Sequence, residues 1–386
     1  MIGTVKNAIY LATLKWKQGE VRALGTFTGD RSDLAVLFDI PPAGDYDHEL
    51  KTVLEPTEYL KQFGGRLKKA WGKRGVFIDA AKVDDERHKA GLSVHPLTEL
   101  LERARLAESL AFPVTGPGRS PEYQNAVRRF AEANPGLPIC LRFDAASAFD
   151  DFSTLVRDIR LLKFELDLDP KRCLLVADFG AFDPYDVDAF AKNVAERINN
   201  LPYLHDWLNV AVSMTAFPAR AKIAAGDIGE FKRTEWLFYK RLRTLPLLRM
   251  PIFGDYAVEN PALGPTGRIS PVAQCRYSTE ENHMIFKGKT TRKPNGYKVI
   301  FPVAEALADH AAFMGPSFSL GDAYFHRLGK EQKSTGTAAI WRWAATDHHL
   351  THALRSLRML LGMKVYEPAE PEITELAQLE LSLPSR

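Results

Sequence analysis

Residues Cys173–Phe179 read CLLVADF, an apolar run that ends on a carboxylate, Asp178. The same design recurs in LAVLFDI (Asp39), GVFIDA (Asp79), ICLRFDA (Asp144) and PIFGDY (Asp255). Short apolar runs of this kind read as strands buried on both faces, as in parallel sheets. Segments of helical length lie between them.

Taken in order, eight strands are expected at Ala8–Leu14, Leu34–Ile40, Val76–Asp79, Ala111–Gly116, Ile139–Phe143, Cys173–Phe179, Leu208–Met214 and Ile252–Tyr256. Pro41 and Pro42 stop the second, because proline lacks a ladder donor. The connections are mostly helical. Pro56–Lys73 carries Leu60, Phe63 and Leu67 on one face, and Ser120-Pro121 is a cap followed by a first-turn proline. Ala43–Leu50 reads as a loop, and Ile228–Arg243 as a helical stretch before the last strand. Such β/α units over about 250 residues predict a (β/α)8 TIM-barrel-like fold. The alternative, an open doubly wound sheet, lacks the GxGxxG that would support it after the first strand.

The pattern changes after Asn260. The expected division is a barrel over 1–260, a C-terminal α+β extension over 261–366 packing near the barrel mouth, and an acidic tail over 367–386. Within the extension, Cys275–Phe301 reads as a hairpin turning at Asn295-Gly296, or as a basic loop. A helix is expected from about Thr346 with Asp347 as its cap, and Gly321, Gly329 and Gly336 suggest a turn-rich lid.

A net charge of +3 on 386 residues gives no overall drive towards nucleic acid. The three cysteines are far apart, which argues against a disulfide framework or a cysteine zinc site. No run approaches 18 apolar residues, so no membrane span and a cytoplasmic location are expected.

In parallel β/α barrels, function sits at the C-terminal ends of the strands. This rule selects Asp39, Asp79, Asp144, Asp178 and Asp255 as candidate catalytic acids, with Lys15, Lys17 and Arg142 as candidate ligand-binding cations. Such a cluster could hold a divalent metal through oxygen, or tune its members for acid–base work. The plainer reading is a set of structural Lys–Asp and Arg–Asp pairs. His348 and His352 lie four apart, so they share a helix face and could bind a metal; His349 and His352 form a second close pair. Two histidines alone are a weak zinc signal, and packing against the barrel is the plainer alternative. No cofactor is specified, and the identity of any metal stays open. A third group, Arg276, Tyr277, Lys287, Lys289, Arg292, Lys293 and Lys298, has the composition of a phosphate or nucleic-acid contact, or of a solvated loop.

LKWKQGE (14–20), Gly254-Asp255-Tyr256, Arg276-Tyr277-Ser278, Gly321-Asp322 and the WRW…DHHLTH run (341–352) together resemble the phage-type Beta protein family, over about residues 8–360. The resemblance implies a β/α-rich protein and a role in phage–host conflict, as antiviral defence or phage-encoded. It brings no catalytic residue. It raises the expectation of a shared job for Lys15, Lys17, Asp255, Arg276, Asp322 and the 348–352 histidines.

The leading expectation is binding of a phosphate-bearing small molecule or nucleic acid at the charged mouth, with Arg276, Asp322 and the histidines folded back to it. One rival is a metal-dependent phosphodiesterase or nuclease in which Asp39, Asp79, Asp144 and Asp178 hold the metal. The other is a non-enzymatic module that recruits a protein partner.

Overall fold

The computed structural model describes residues 2–42, 46–47, 52–53, 56–86, 91–262 and 271–365. The acidic tail and residues 263–270 lie outside them.

The eight expected strands form, as Tyr10–Lys15, Leu34–Asp39, Gly75–Asp79, Leu110–Thr115, Ile139–Asp144, Cys173–Ala181, Asn209–Thr215 and Ile252–Asp255. Each pairs in parallel with the next, and the eighth pairs with the first, closing the barrel. Alternate side chains face opposite sides. Leu11, Leu37, Phe77, Phe112, Cys140 and Val176 fill the barrel, with Val5 and Ala8 from the N-terminal segment packed against them. The amide of Asn209 donates to the carbonyls of Val5, Lys6 and Ala8 and ties that segment beneath the strands. Side chains of the other parity, among them Tyr10, Phe38, Ile78 and Leu175, meet the helices in the larger outer core.

The helix after the fourth strand begins at Pro121 with Ser120 accepting from the Tyr123 amide, as the Ser-Pro pair implied. Asp151 and Asp186 cap two further helices in the same way.

Several local readings need correction. Ile228–Lys232 is a strand rather than the start of a helix; the helix there is Thr234–Leu242. The strand joins Val272–Ser278 and Asn282–Thr290 in an antiparallel sheet with Asn282–Thr290 at its centre. The hairpin therefore turns at Thr279–Glu281, and Asn295-Gly296 lies beyond it. Tyr46–Asp47, expected in a loop, pairs with Thr52–Val53. The turn-rich lid is a helix, Leu320–Lys330. A Cβ on Gly321 would lie 2.1 Å from the Ala344 carbonyl oxygen, so this glycine permits close crossing of two helices. The last helix runs Ala338–Leu360, starting eight residues earlier than expected, so Asp347 is mid-helix and not a cap.

That last helix joins the two parts. Its first half packs with the antiparallel sheet in a second core containing Tyr277, Phe286, Phe325, Trp341 and Trp343. Leu350, Ala353, Leu354 and Leu357 enter the outer core of the barrel. Burial of each leucine contributes roughly 1.5–3 kcal/mol. The helix lies against Gln18–Thr26 and the first strand. Gly19 permits this contact, since a Cβ there would sit 2.6 Å from the Ala339 carbonyl oxygen.

Candidate functional site

The inward parity that fills the barrel continues upward to Asp39, Asp79, Arg142 and Asp178, which meet beneath a cavity of about 840 Å³. Arg142 is the hub. Its Nη1 donates to Asp39 at 2.6 Å and Asp79 at 2.9 Å, its Nε donates to Asp178 at 2.7 Å, and its Nη2 donates to the Tyr256 hydroxyl at 2.7 Å. Tyr256 in turn donates to Asp178 at 2.5 Å. Arg119 donates to Asp79 at 2.8 Å, and Lys82 to Asp39 at 3.2 Å. The three carboxylates are buried.

Burial alone would push the Asp39 carboxyl up, but Arg142 and Lys82 outweigh it and hold the group down at about 2. Burial pushes the Tyr256 phenol well above its ordinary value, with Asp178 and Asp39 acting in the same direction. At neutral pH Asp39 is therefore an acceptor and Tyr256 a donor.

The rim is different. Asp144 continues the inward parity but stands exposed, accepting from the Ala146 amide at 3.1 Å. Asp151, Asp158 and Ser147 line the same side. The described lining thus carries six carboxylates (Asp39, Asp79, Asp144, Asp151, Asp158 and Asp178) against Lys82, Arg119 and Arg142. Charge is segregated: Lys82 and Arg119 follow the third and fourth strands, and the three rim acids follow the fifth. Nε of Arg119 is buried without a hydrogen-bond partner.

The sequence-selected residues separate into three groups. Asp39, Asp79, Asp178 and Arg142 meet at the mouth, with Asp144 on its rim. Lys15, Lys17 and Arg276 lie to one side. Lys15 Nζ donates to the carbonyls of Asn260 and Ala262 and pairs with Glu259 at 3.6 Å. Burial, with neighbouring Lys17, Arg342 and Lys82, lowers the Lys15 amine to about 8 against the pull of Glu20. Lys17 is the N-cap residue of Gln18–Thr26. Arg276 donates to the Val258 carbonyl and pairs with Glu259.

The third group corrects the expected ring. Asp255 pairs in register with Ala12, an outward position, and so points away from the mouth; its neighbour Tyr256 is the inward residue. Asp255 accepts from Tyr10 at 2.5 Å and contacts His349 Nε2 at 2.9 Å. His349 Nδ1 meets Ser278 Oγ at 2.7 Å, and His283 links Ser278 to Glu235. His348 bridges Asp322 and the Ser278 carbonyl, while Tyr277 and Ser319 also donate to Asp322. His352 faces Arg233 at 3.3 Å. Every side chain of this network is buried.

The network contains a Ser278–His349–Asp255 relay, the constituents of a nucleophile, a base and an orienting acid. None of its three residues lines the mouth cavity, and its serine is fully enclosed. Burial raises the Asp255 carboxyl's tendency to protonate, but His349, Tyr10 and Arg233 bring it down to about 2. Burial lowers the His349 imidazole. A neutral imidazole donating to a carboxylate is consistent with both. The relay is a polar seam that fastens barrel to extension.

The expected metal sites do not fit. Asp39, Asp79 and Asp178 already share a guanidinium, and Arg233 lies against His352. Among the described residues, no group of three or more His, Cys, Asp or Glu is arranged to hold a metal ion.

Sequence reasoning missed Tyr256, Lys82, Arg119 and Ser278 as members of these constellations. Strand parity could have found Tyr256, and DAAK after the third strand puts Lys82 three residues beyond Asp79.

Topology and mouth together define a closed (β/α)8-barrel protein with a charged cavity at the C-terminal face. The chain belongs to the Beta protein family, whose family model matches residues 10–355. Among solved structures, the triosephosphate isomerase of Bartonella henselae is similar at 11% identity and a TM-score of 0.24, covering 64% of this chain and 90% of that one. No curated protein matches the chain. No helix among the described residues is long and apolar enough to cross a membrane.

Proposed function

We propose that the barrel mouth binds a bipolar small molecule, with an anionic group on Lys82 and Arg119 and hydrogen-bond donors or positive charge on Asp144, Asp151 and Asp158. The observation that supports this most is the segregation of charge around a cavity large enough for a metabolite. The acid excess disfavours a ligand that is anionic throughout, such as a nucleic-acid strand, because its phosphates would face the rim carboxylates. A single phosphate or carboxylate at one end is accommodated. Arg142, with its bonds to three aspartates and a tyrosine, serves as floor and fixes the cavity shape.

The test is titration calorimetry of the full chain against amino acids, amino-sugar phosphates, phosphoethanolamine-like compounds and matched ligands lacking one pole. Bipolar compounds should bind, and Arg119→Gln and Asp144→Asn should each weaken binding roughly 10-fold, the loss expected for one charge-assisted contact. Binding indifferent to both substitutions would remove the assignment.

The setting of phage–host conflict rests on family resemblance. Plating phage on cells that carry the wild-type chain or the Arg119→Gln/Asp144→Asn variant tests it: ligand capture at the mouth requires the two to differ.

A further inference from the structure

A second cavity, of about 420 Å³, lies between the loop after the seventh barrel strand, the antiparallel sheet and the start of the last helix. Its described lining contains Arg220, Arg276, Lys287 and Arg342 and no carboxylate, in contrast to the acid-rich mouth. Phe217, Ile223 and Trp341 supply its apolar wall.

The cations differ in role. Arg276 and Arg342 both pair with Glu259 beneath the cavity, and that carboxylate is also shared with Lys15. Glu20 lies close to Lys15 and also acts on Arg276, so two acids, Glu259 and Glu20, face these cations from below. Nε of Arg276 is buried without a hydrogen-bond partner, and its guanidinium lies 4.9 Å over the Phe217 ring. Arg220 is exposed and Lys287 half-buried, and neither side chain forms an ion pair among the described residues. Burial lowers Arg276 to about 10, with Glu20 pulling the other way.

We propose that this cavity binds a phosphate monoester of mononucleotide size. Its phosphate would be held by Arg220, Lys287 and Arg342, and its ring system would lie against Phe217 and Trp341. Guanidinium groups suit phosphate through paired N–H donors, and aromatic walls suit a base through stacking. The cavity volume is within the range of small-ligand pockets. The site is separate from the mouth and does not depend on the ligand proposed there.

The experiment titrates the full chain with the four nucleoside 5′-monophosphates, the corresponding nucleosides and inorganic phosphate, for the wild type and Arg220→Glu/Lys287→Glu. Arg220 is exposed and Lys287 half-buried at the cavity edge, and circular dichroism checks that the variant is folded. Monophosphates should bind at least 10-fold more tightly than inorganic phosphate or nucleosides. The double variant should lose at least 10-fold, while Asp144→Asn at the mouth leaves this binding unchanged. Failure of the monophosphates to bind, equal binding by the charge-reversed variant, or loss in Asp144→Asn would overturn the proposal. Inorganic phosphate binding as tightly as the monophosphates would remove the aromatic half of the site.

Discussion

Replacement of Arg142 by Gln probes the floor of the mouth directly. The guanidinium touches Asp39, Asp79, Asp178 and Tyr256 at 2.5–2.9 Å, and its side chain is only 12% exposed. Its loss strands three carboxylates close together below solvent. Breaking a buried pair by removing one partner costs about 3–5 kcal/mol, because an uncompensated charge stays behind. Lys82 and Arg119 still hold Asp39 and Asp79, which argues for that range rather than a multiple of it. The pH dependence gives the clearer signature. In the wild type the Asp39 carboxyl is depressed to about 2, so its stabilisation is complete above its ordinary value of 3.8 and fades as pH falls towards 2. Without Arg142, burial and the neighbouring carboxylates raise the Asp39 carboxyl. The variant then keeps full stability only at low pH and loses it as pH rises through the raised value. Urea unfolding at pH 7 and pH 5 should show the deficit at pH 7 shrinking at pH 5, with the wild type little changed. A variant as stable as wild type at pH 7, or a deficit independent of pH, would refute the reasoning.

Three other outcomes are expected. Asp347 is buried between the Gly321 amide at 2.9 Å and the Thr26 hydroxyl at 3.2 Å, and burial pushes its carboxyl from 3.8 to about 7. Ionising it in the fold costs on the order of 4 kcal/mol, a penalty absent below about pH 4 and complete above about pH 7; Asp347→Asn should therefore be more stable than wild type at pH 8 and gain nothing at pH 4, read from thermal unfolding. Asp255→Ala should destabilise by about 2–6 kcal/mol, roughly 1–3 for each of the two buried donors it strands, His349 and Tyr10, with ligand affinity at the mouth unchanged in the folded fraction; lost affinity with unchanged unfolding would return Asp255 to the mouth. Gly321→Ala puts a methyl 2.1 Å from the Ala344 carbonyl oxygen, and should cost about 1–3 kcal/mol in chemical denaturation by forcing the two helices apart.

The barrel was legible because each of its strands is a short apolar run bounded by breakers, a signal that needs no tertiary knowledge. Legibility stopped where one residue of register mattered. Asp255 ends a run just as Asp39, Asp79 and Asp178 do, yet its register with Ala12 turns it outward. The last helix began too late in the sequence reading because it is buried almost all round. Trp341, Trp343 and Leu350 face different partners, so no single apolar stripe announced its start, and Asp347 looked like a cap. Ile228–Lys232 alternates in exposure in the fold, but Ile228 takes an exposed position, so IGEFK shows no apolar alternation, and it lay in a stretch where the barrel pattern called for a helix. The histidines were recognised as a group, but their partners Ser278, Glu235 and Arg233 come from distant segments that only the fold assembles.

The claim that the mouth is a ligand site is tested most directly by a crystal structure of the full chain with the tightest-binding bipolar compound. The account expects that compound above Arg142, its anionic group on Arg119 and Lys82 and its other pole among Asp144, Asp151 and Asp158. A compound seated elsewhere while the mouth holds only solvent would contradict it.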